Sequence, residues 1–370
     1  MAIGDLIRDL RKARGWSQGR LADAINSAYG AGLTRECVSR WECHKVEPHP
    51  FYLRCLSGVL DVPLAVLEGE VNRRKFISEA AATTIAPLVA SDLLSTGFSA
   101  RLHGGPSADD WEHKLSVYGT DYMSLGASEI QRRIAGELMV VQQQLDNPQL
   151  WSVAARLMTL YAKTFPGSDG NKALDWYRMA VRAADESGDT QTRVWVRGRA
   201  AIALGYEGAG LGMVDVFADQ AMAISDRPSL GLLNAIMGKA HAAVLRGDKT
   251  TASQLTSKGL AMFDASASYD QTSDYAVPYW RMNIFLSLLF ARLGEEKKAL
   301  ESQEAARNEL PKTLPRFATH LEMHRGLMLA KSGDKYGVAY ARQALYRLPA
   351  EKHSLTLRML MREVEEVESA

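Results

Sequence analysis

Three short turns, Arg246-Gly247-Asp248, Leu293-Gly294-Glu295 and Ser332-Gly333-Asp334, punctuate the second half of this chain at intervals of roughly forty residues. Each follows a run in which small and large apolar residues recur with helical period, in 235–245, 284–291 and 323–330. Each precedes a second such run, marked by Ala252, Leu255 and Leu260, by Ala299, Ala305 and Ala306, and by Ala339, Ala341 and Leu345. Two earlier units share the arrangement: 151–165 with Ala173, Trp176, Tyr177 and Ala180, and 194–204 with 216–224. From Trp111 onward there is almost no sustained two-residue alternation, so strands are not expected. Helix pairs repeated in this way bury their apolar faces against one another, which predicts a stacked, all-α array with a concave inner surface.

Residues 1–70 read as a separate helical bundle. Ile3, Leu6, Ile7 and Leu10 put an apolar stripe on a first helix that also carries Arg8, Arg11, Lys12 and Arg14 and stops at Gly15. Ser17 is a natural N-cap for a second helix, with Leu21, Ala22 and Ile25 inward and Gln18 and Arg20 at its exposed start. Thr34 caps a third, Arg35 to Glu42. Its Val38 and Trp41 face the core, while Arg35, Glu36, Ser39 and Arg40 fall on the opposite side. A short helix anchored on its apolar side and led by arginines on the other suits the DNA major groove. After Pro48 and Pro50, Leu53, Leu56, Val59, Leu60 and Val62-Pro63-Leu64 supply the helices that close the core.

Leu10-Arg11, Gly15-Trp16-Ser17-Gln18, Leu21-Ala22, Val38-Ser39-Arg40-Trp41-Glu42 and Val62-Pro63 together resemble the phage-repressor, or XRE, type of helix-turn-helix. The resemblance implies a phosphate contact for Gln18, base-reading positions for Arg35, Glu36 and Arg40, and a structural pairing of Arg11 with Glu42. Arg20, Thr34, Ser39 and Lys45 complete the candidate DNA-binding set. Two features depart from the family. The segment between the second and third helices, 26–33, is longer than the compact form, and Cys43-His44 stands where glycine is common after the third helix. Residues 110–370 resemble a degenerate tetratricopeptide array. The combination resembles regulators of actinobacteria and, more distantly, peptide-pheromone receptors of Gram-positive bacteria. It implies a homodimer whose repeat domain holds a peptide or small ligand. The fold expected is thus all-α, an N-terminal helix-turn-helix bundle (1–70), a linker helix and loop (71–109) and a tetratricopeptide-like α-solenoid (110–370).

Plainer readings stand beside these. Glu36 and Arg40 are four apart in the favourable order and can form a surface pair worth about 0.3–0.5 kcal/mol. Glu36 also suits the positive end of the helix dipole. The 370 residues carry a net charge of only +1, but twelve Lys/Arg face nine Asp/Glu in 1–75, so the basic character is local and modest.

Cys37, Cys43 and Cys55 are odd in number and irregularly spaced, which argues against a disulfide framework and fits a reducing cytoplasm. Cys43, His44, His49 and Cys55 lack the paired spacing of a zinc site, so no metal is expected, and Cys37 reads as a small packed residue. Arg73-Arg74-Lys75-Phe76-Ile77 and the alanine-rich 80–90 superficially resemble an export signal. They follow a folded domain, and the apolar run is short and preceded by Glu79, so a linker helix ending near Gly97 and a turn at Gly104-Gly105-Pro106 are expected. No segment reaches the length of apolar residues needed to cross a bilayer. Gly208-Ala209-Gly210-Leu211-Gly212 sits between helices and lacks the spacing of a dinucleotide loop, and Gly167-Ser168-Asp169-Gly170 reads as a loop and not a nucleophile elbow. Neither a catalytic constellation nor a cofactor is expected.

Thirteen positions before the turn glycines stand Asn234, Arg281 and His320, one polar residue at the same register of three successive first helices. They are the candidate ligand-gripping set; the plainer reading makes them solvated side chains. Tyr275, Tyr279 and Trp280 read as interhelix packing, and the C-terminal helix around 361–367 as a candidate dimer contact. Two functional classes follow. One is a cytoplasmic transcription regulator that reads a double-stranded DNA operator, with no membrane association. The other is a protein-interaction adaptor whose repeats recruit a partner.

Overall fold

The computed structural model describes residues 3–60, 67, 87–165, 170–266, 268 and 270–369, and the chain divides into two compact units, 1–92 and 93–370. Val62-Pro63-Leu64, Arg73-Arg74-Lys75-Phe76-Ile77, most of the alanine-rich run and 167–169 lie outside the described residues.

In the first unit α1 (Ile3–Ala13), α2 (Gln18–Tyr29), α3 (Arg35–Glu42) and α4 (Pro50–Val59) pack around Leu6, Ile7, Leu21, Ile25, Val38 and Leu56, all fully buried. Residue choice explains the boundaries. Ser17 Oγ accepts the Arg20 N–H at 3.1 Å to start α2, and Gly30, at φ 62°, ends it. Helix α2 therefore extends through 26–29, where sequence spacing placed a loop. Asn26 clamps the shorter connection from within the helix: its amide nitrogen donates to the Leu33 carbonyl at 2.7 Å and its oxygen accepts the Leu33 N–H at 2.6 Å. Thr34 has the extended N-cap backbone, but its hydroxyl reaches Cys37 Sγ at 3.5 Å and makes no cap bond to the first-turn amides.

The end of α3 explains the unusual Cys43-His44. His44 adopts φ 57°, the left-handed conformation usually supplied by glycine. The His44 N–H donates to Trp41 O at 3.1 Å and the Lys45 N–H to Arg40 O at 2.9 Å, which closes the last turn. His44 Nε2 lies 3.1 Å from Asp5 Oδ1 of α1. Helix α1 passes this end so closely that a Cβ on Gly4 would lie 2.1 Å from Trp41 O.

The second unit is a stack of helices. Helix α5 (Pro87–His103) crosses the division at 92/93 and runs past Gly97, where the linker helix was expected to end, and Gly104, at φ 77°, follows its last residue. After α6 (Ala108–Ser124) and α7 (Ala127–Gln142) come five antiparallel pairs: α8 (Leu150–Ala162) with α9 (Gly170–Glu186), α10 (Thr190–Glu207) with α11 (Leu211–Ile224), α12 (Leu230–Leu245) with α13 (Lys249–Ser266), α14 (Tyr279–Leu293) with α15 (Glu296–Glu309), and α16 (Pro315–Lys331) with α17 (Gly337–Arg347). The first helices stack α8–α10–α12–α14–α16, and α18 (Leu355–Ser369) packs on α16 and α17 and touches α10.

One backbone device sets the repeat. Gly247, Gly294 and Gly333 have φ 79–81°, and the next residue returns its N–H to the carbonyl five positions back: Asp248 to Ala243, Glu295 to Phe290, Asp334 to Leu329, at 2.9–3.0 Å. Gly208 makes a fourth such turn, with Ala209 N–H on Leu204 O at 2.9 Å, so the glycine-rich 208–212 joins the end of α10 to the start of α11. Between α10 and α12 the approach is backbone to backbone. A Cβ on Gly198 would lie 1.9 Å from Gly231 O, and one on Gly205 2.4 Å from Gly238 O. No larger residue fits either crossing without separating the helices.

Candidate functional site

In the first unit the candidate DNA surface is built on α3. Val38 and Trp41 fix it from behind, and Glu42, only 2% exposed, accepts two hydrogen bonds from Arg11, Nε at 2.6 Å and Nη2 at 2.8 Å. Burial raises the Glu42 carboxyl, but hydrogen bonds from Arg11 and Gln18 reverse that and hold it below the usual carboxylate range. With its rear locked, α3 exposes Arg35, Glu36 and Arg40, with Ser39 half-buried among them. The Glu36 carboxylate is held by its own backbone N–H and by Thr34, which lowers its pKa. Cys37 is partly exposed, and its thiol is pulled below its ordinary value by the Thr34 side chain and backbone.

The structure gives Gln18 a structural task as well. Its amide nitrogen donates to Glu42 Oε2 at 2.8 Å, so Gln18, Glu42 and Arg11 form one strut across α1, α2 and α3. The start of α2 carries no acidic residue in its first turn, which leaves its positive end open to a phosphate. The guanidinium of Arg20 lies over the Trp16 ring at 5.7 Å, and Lys45 is exposed just after α3.

In the second unit the ligand candidates are buried and not solvated. Asn234 is 1% exposed, Arg281 4% and His320 5%. The register that aligns them is the one facing neighbouring first helices, so they point into the stack. Arg281 and His320 line one cleft; Asn234 does not, and its buried Oδ1 has no hydrogen-bond partner in the structure.

That cleft, a cavity of about 80 Å3, lies between α6, α10, α14, α16 and α18. Its polar end is organised by Asp274, in the loop before α14, which sequence reasoning missed. Asp274 is 1% exposed and receives Lys163 Nζ at 2.7 Å, Arg199 Nη2 at 2.9 Å and Arg281 Nη2 at 2.7 Å. Burial raises the Asp274 carboxyl, and the three cations far outweigh it, so the group stays ionised. One carboxylate cannot neutralise three cations, and burial together with Arg199 pulls Lys163 well below its usual range. Arg199 Nε and Arg281 Nε are buried without partners. Arg316 lies beside them, donating to Tyr122 O at 2.7 Å, and the Tyr122 ring sits beneath both Lys163 and Arg316. Glu207, which accepts the Thr356 hydroxyl at 2.8 Å, is pushed up to about 7 by burial, with Thr356 and Lys163 opposing.

The aromatic residues near the cleft divide. Trp280 is fully buried and Tyr275 packs on Trp195 with ring centroids 5.1 Å apart, whereas Tyr279 is 48% exposed and packs only in part. The apolar face of α18 is engaged inside the chain through Leu357, Leu360 and Val364, which removes it as a free dimer contact. Among the described residues, no cluster of three or more His, Cys, Asp or Glu is arranged to hold a metal ion, and no helix is long and apolar enough to cross a membrane.

No protein-family model matches this chain, and no curated protein does. Among solved structures, that of Bacillus thuringiensis PlcR in complex with the peptide PapR7 and DNA is similar at 16% identity and a TM-score of 0.34, over 71% of this chain and 94% of that one.

Proposed function

We propose that this chain is a sequence-specific DNA-binding transcription regulator whose repeat unit senses a peptide or small ligand and dimerises. The observation that carries the reading is α3, a short helix immobilised by Val38, Trp41 and the Arg11–Glu42 pair, with Arg35, Glu36 and Arg40 presented outward. Arg35 and Arg40 are assigned to base edges, where a bidentate arginine–guanine pair is worth about 1–3 kcal/mol of discrimination. Glu36 and Ser39 flank them. The start of α2, with Gln18 and Arg20, and the residues Thr34 and Lys45 are assigned to the phosphate backbone, which fixes register without reading sequence.

The repeat unit supplies the control in this reading. A ligand held more tightly by one of two dimer geometries shifts the population toward it and so changes operator affinity. Leu94, Phe98 and Leu102, four apart along α5 and each more than half exposed, are the apolar surface we assign to the second copy. Sedimentation of a Phe98→Glu chain as a monomer, where the native chain sediments as a dimer, tests that assignment. The reading as a whole is tested by selecting bound sequences from a random DNA pool with the full-length chain. Two half-sites about one helical turn apart support a dimeric regulator. Partner capture without DNA preference supports an adaptor.

A further inference from the structure

We infer that the inner cleft is a receptor for the carboxylate of a small amphipathic molecule, with the carboxylate seated among Lys163, Arg199 and Arg316 and the apolar body against Ile202, Ile284 and Phe285. The inference deepens the sensing role proposed for the repeat unit and rests on it.

Charge and geometry both point this way. Lys163, Arg199 and Arg281 converge on the single carboxylate of Asp274, and Arg316 adds a third guanidinium to the wall, so positive charge stays in excess even where the depressed Lys163 gives up its proton. Arg199 and Arg281 already donate Nη2 to Asp274 and still keep a buried Nε–H with no acceptor, so the cluster has more donors than the protein's own acceptors satisfy. A structural ion network would be closer to neutral, because an unbalanced buried charge costs more than the pairing returns. The remaining acid on the wall, Glu207, faces Thr356, Lys163 and the phenols of Tyr122 and Tyr177, and burial keeps it partly protonated near neutrality. The site therefore holds an excess of positive charge at one end and aliphatic and aromatic surface at the other. A free aryl or alkyl acid and the C-terminus of a short peptide both offer this chemistry.

The test is titration calorimetry on the full-length chain without DNA, so that failure here leaves the DNA-reading claim untouched and failure of DNA selection leaves this one untouched. Four probes are compared: hydrocinnamate against hydrocinnamyl alcohol, and acetyl-Leu-Phe against its carboxamide. At least one acid is expected to bind about tenfold or more tightly than its neutral partner, as a charge-assisted hydrogen bond implies. Which acid binds identifies the source. Arg316→Met is expected to weaken that binding about tenfold. Glu207→Gln keeps the acceptor for Thr356 and removes a competing negative charge, so at pH 8 it is expected to bind the acid about threefold more tightly than the native chain. Acids that bind no better than their neutral partners, no binding by either acid, or an affinity that neither substitution moves would overturn the inference.

Discussion

Arg11 and Glu42 stand 31 positions apart and meet in a two-pronged ion pair, at 2.6 and 2.8 Å, directly behind the helix that carries Arg35 and Arg40. The pair contacts no exposed surface of that helix, yet it sets the angle at which the surface is presented. Glu42→Ala leaves the buried Arg11 without its partner and is expected to cost the first unit about 3 kcal/mol. Hydrogen exchange at the α3 amides measures it directly; protection unchanged from the native chain would contradict the strut. The Glu42 carboxyl is lowered in the folded state, so its contribution is present above the ordinary carboxylate range and is lost as pH falls through the folded value.

His44 holds a left-handed backbone that costs an L-residue about 1–2 kcal/mol. His44→Gly removes that cost but also the contact with Asp5, so the chain is expected to be at least as stable. His44→Val is expected to lose about 1 kcal/mol or more, because a branched Cβ fits this conformation worst. The melting temperatures of the two variants give the order, and a Val variant as stable as the Gly variant would refute the argument.

The crossing of α10 and α12 depends on absent side chains. Gly198→Ala puts a Cβ where Gly231 O already lies and is expected to destabilise the second unit by about 3 kcal/mol. Gly136→Ala is the control, since a Cβ there meets nothing within 4 Å, and it is expected to stabilise by about 0.5–1 kcal/mol. Thermal unfolding followed by circular dichroism separates the two, and equal melting temperatures would count against close packing.

A buried polar network gives the second unit its pH dependence. The Tyr206 hydroxyl lies 2.8 Å from His324 Nε2 and 3.4 Å from His320 Nδ1, and His241 Nδ1 lies 3.1 Å from Arg292. Burial holds all three histidines neutral, aided by Arg292 at His241, by Arg316 at His320, and by His320 and Arg292 at His324; His320 is pulled down to about 3. Below pH 6.5 the unfolded chain takes up protons that the folded unit refuses, so stability falls with pH, by about 2 kcal/mol per histidine at pH 5. His320→Gln is expected to remove about a third of the drop in melting temperature between pH 7.5 and pH 5. A native chain equally stable at both values would contradict the network.

Local periodicity carried most of the helical architecture. The stripe through Leu6 and Leu10, the cap at Ser17, the inward pair Val38 and Trp41 and the three turn glycines are short-range signals, and each stands where its spacing placed it. The cleft was only half legible. Register alone brought Arg281 and His320 forward, but register does not say whether a polar side chain meets water or a neighbouring helix, and both proved buried. Asp274 gave no signal, because it lies in a loop without period and its partner Lys163 is 111 residues away. The paired glycines 198/231 and 205/238 did leave a trace: each pair is separated by 33 positions, and within each helix the glycines are seven apart. That spacing marks two facing helices that both lack side chains at the same level.

We assign the outward face of α3 to reading DNA sequence. Selection from a random double-stranded pool at one fixed salt concentration, run with the full-length native chain and with Arg35→Ala/Arg40→Ala, tests it most directly. Both arginines are exposed, so the double variant is expected to fold and to keep its weak, salt-sensitive affinity for phosphate while losing the motif that the native chain enriches. The same motif recovered by both proteins would contradict the assignment of α3 as the reading helix.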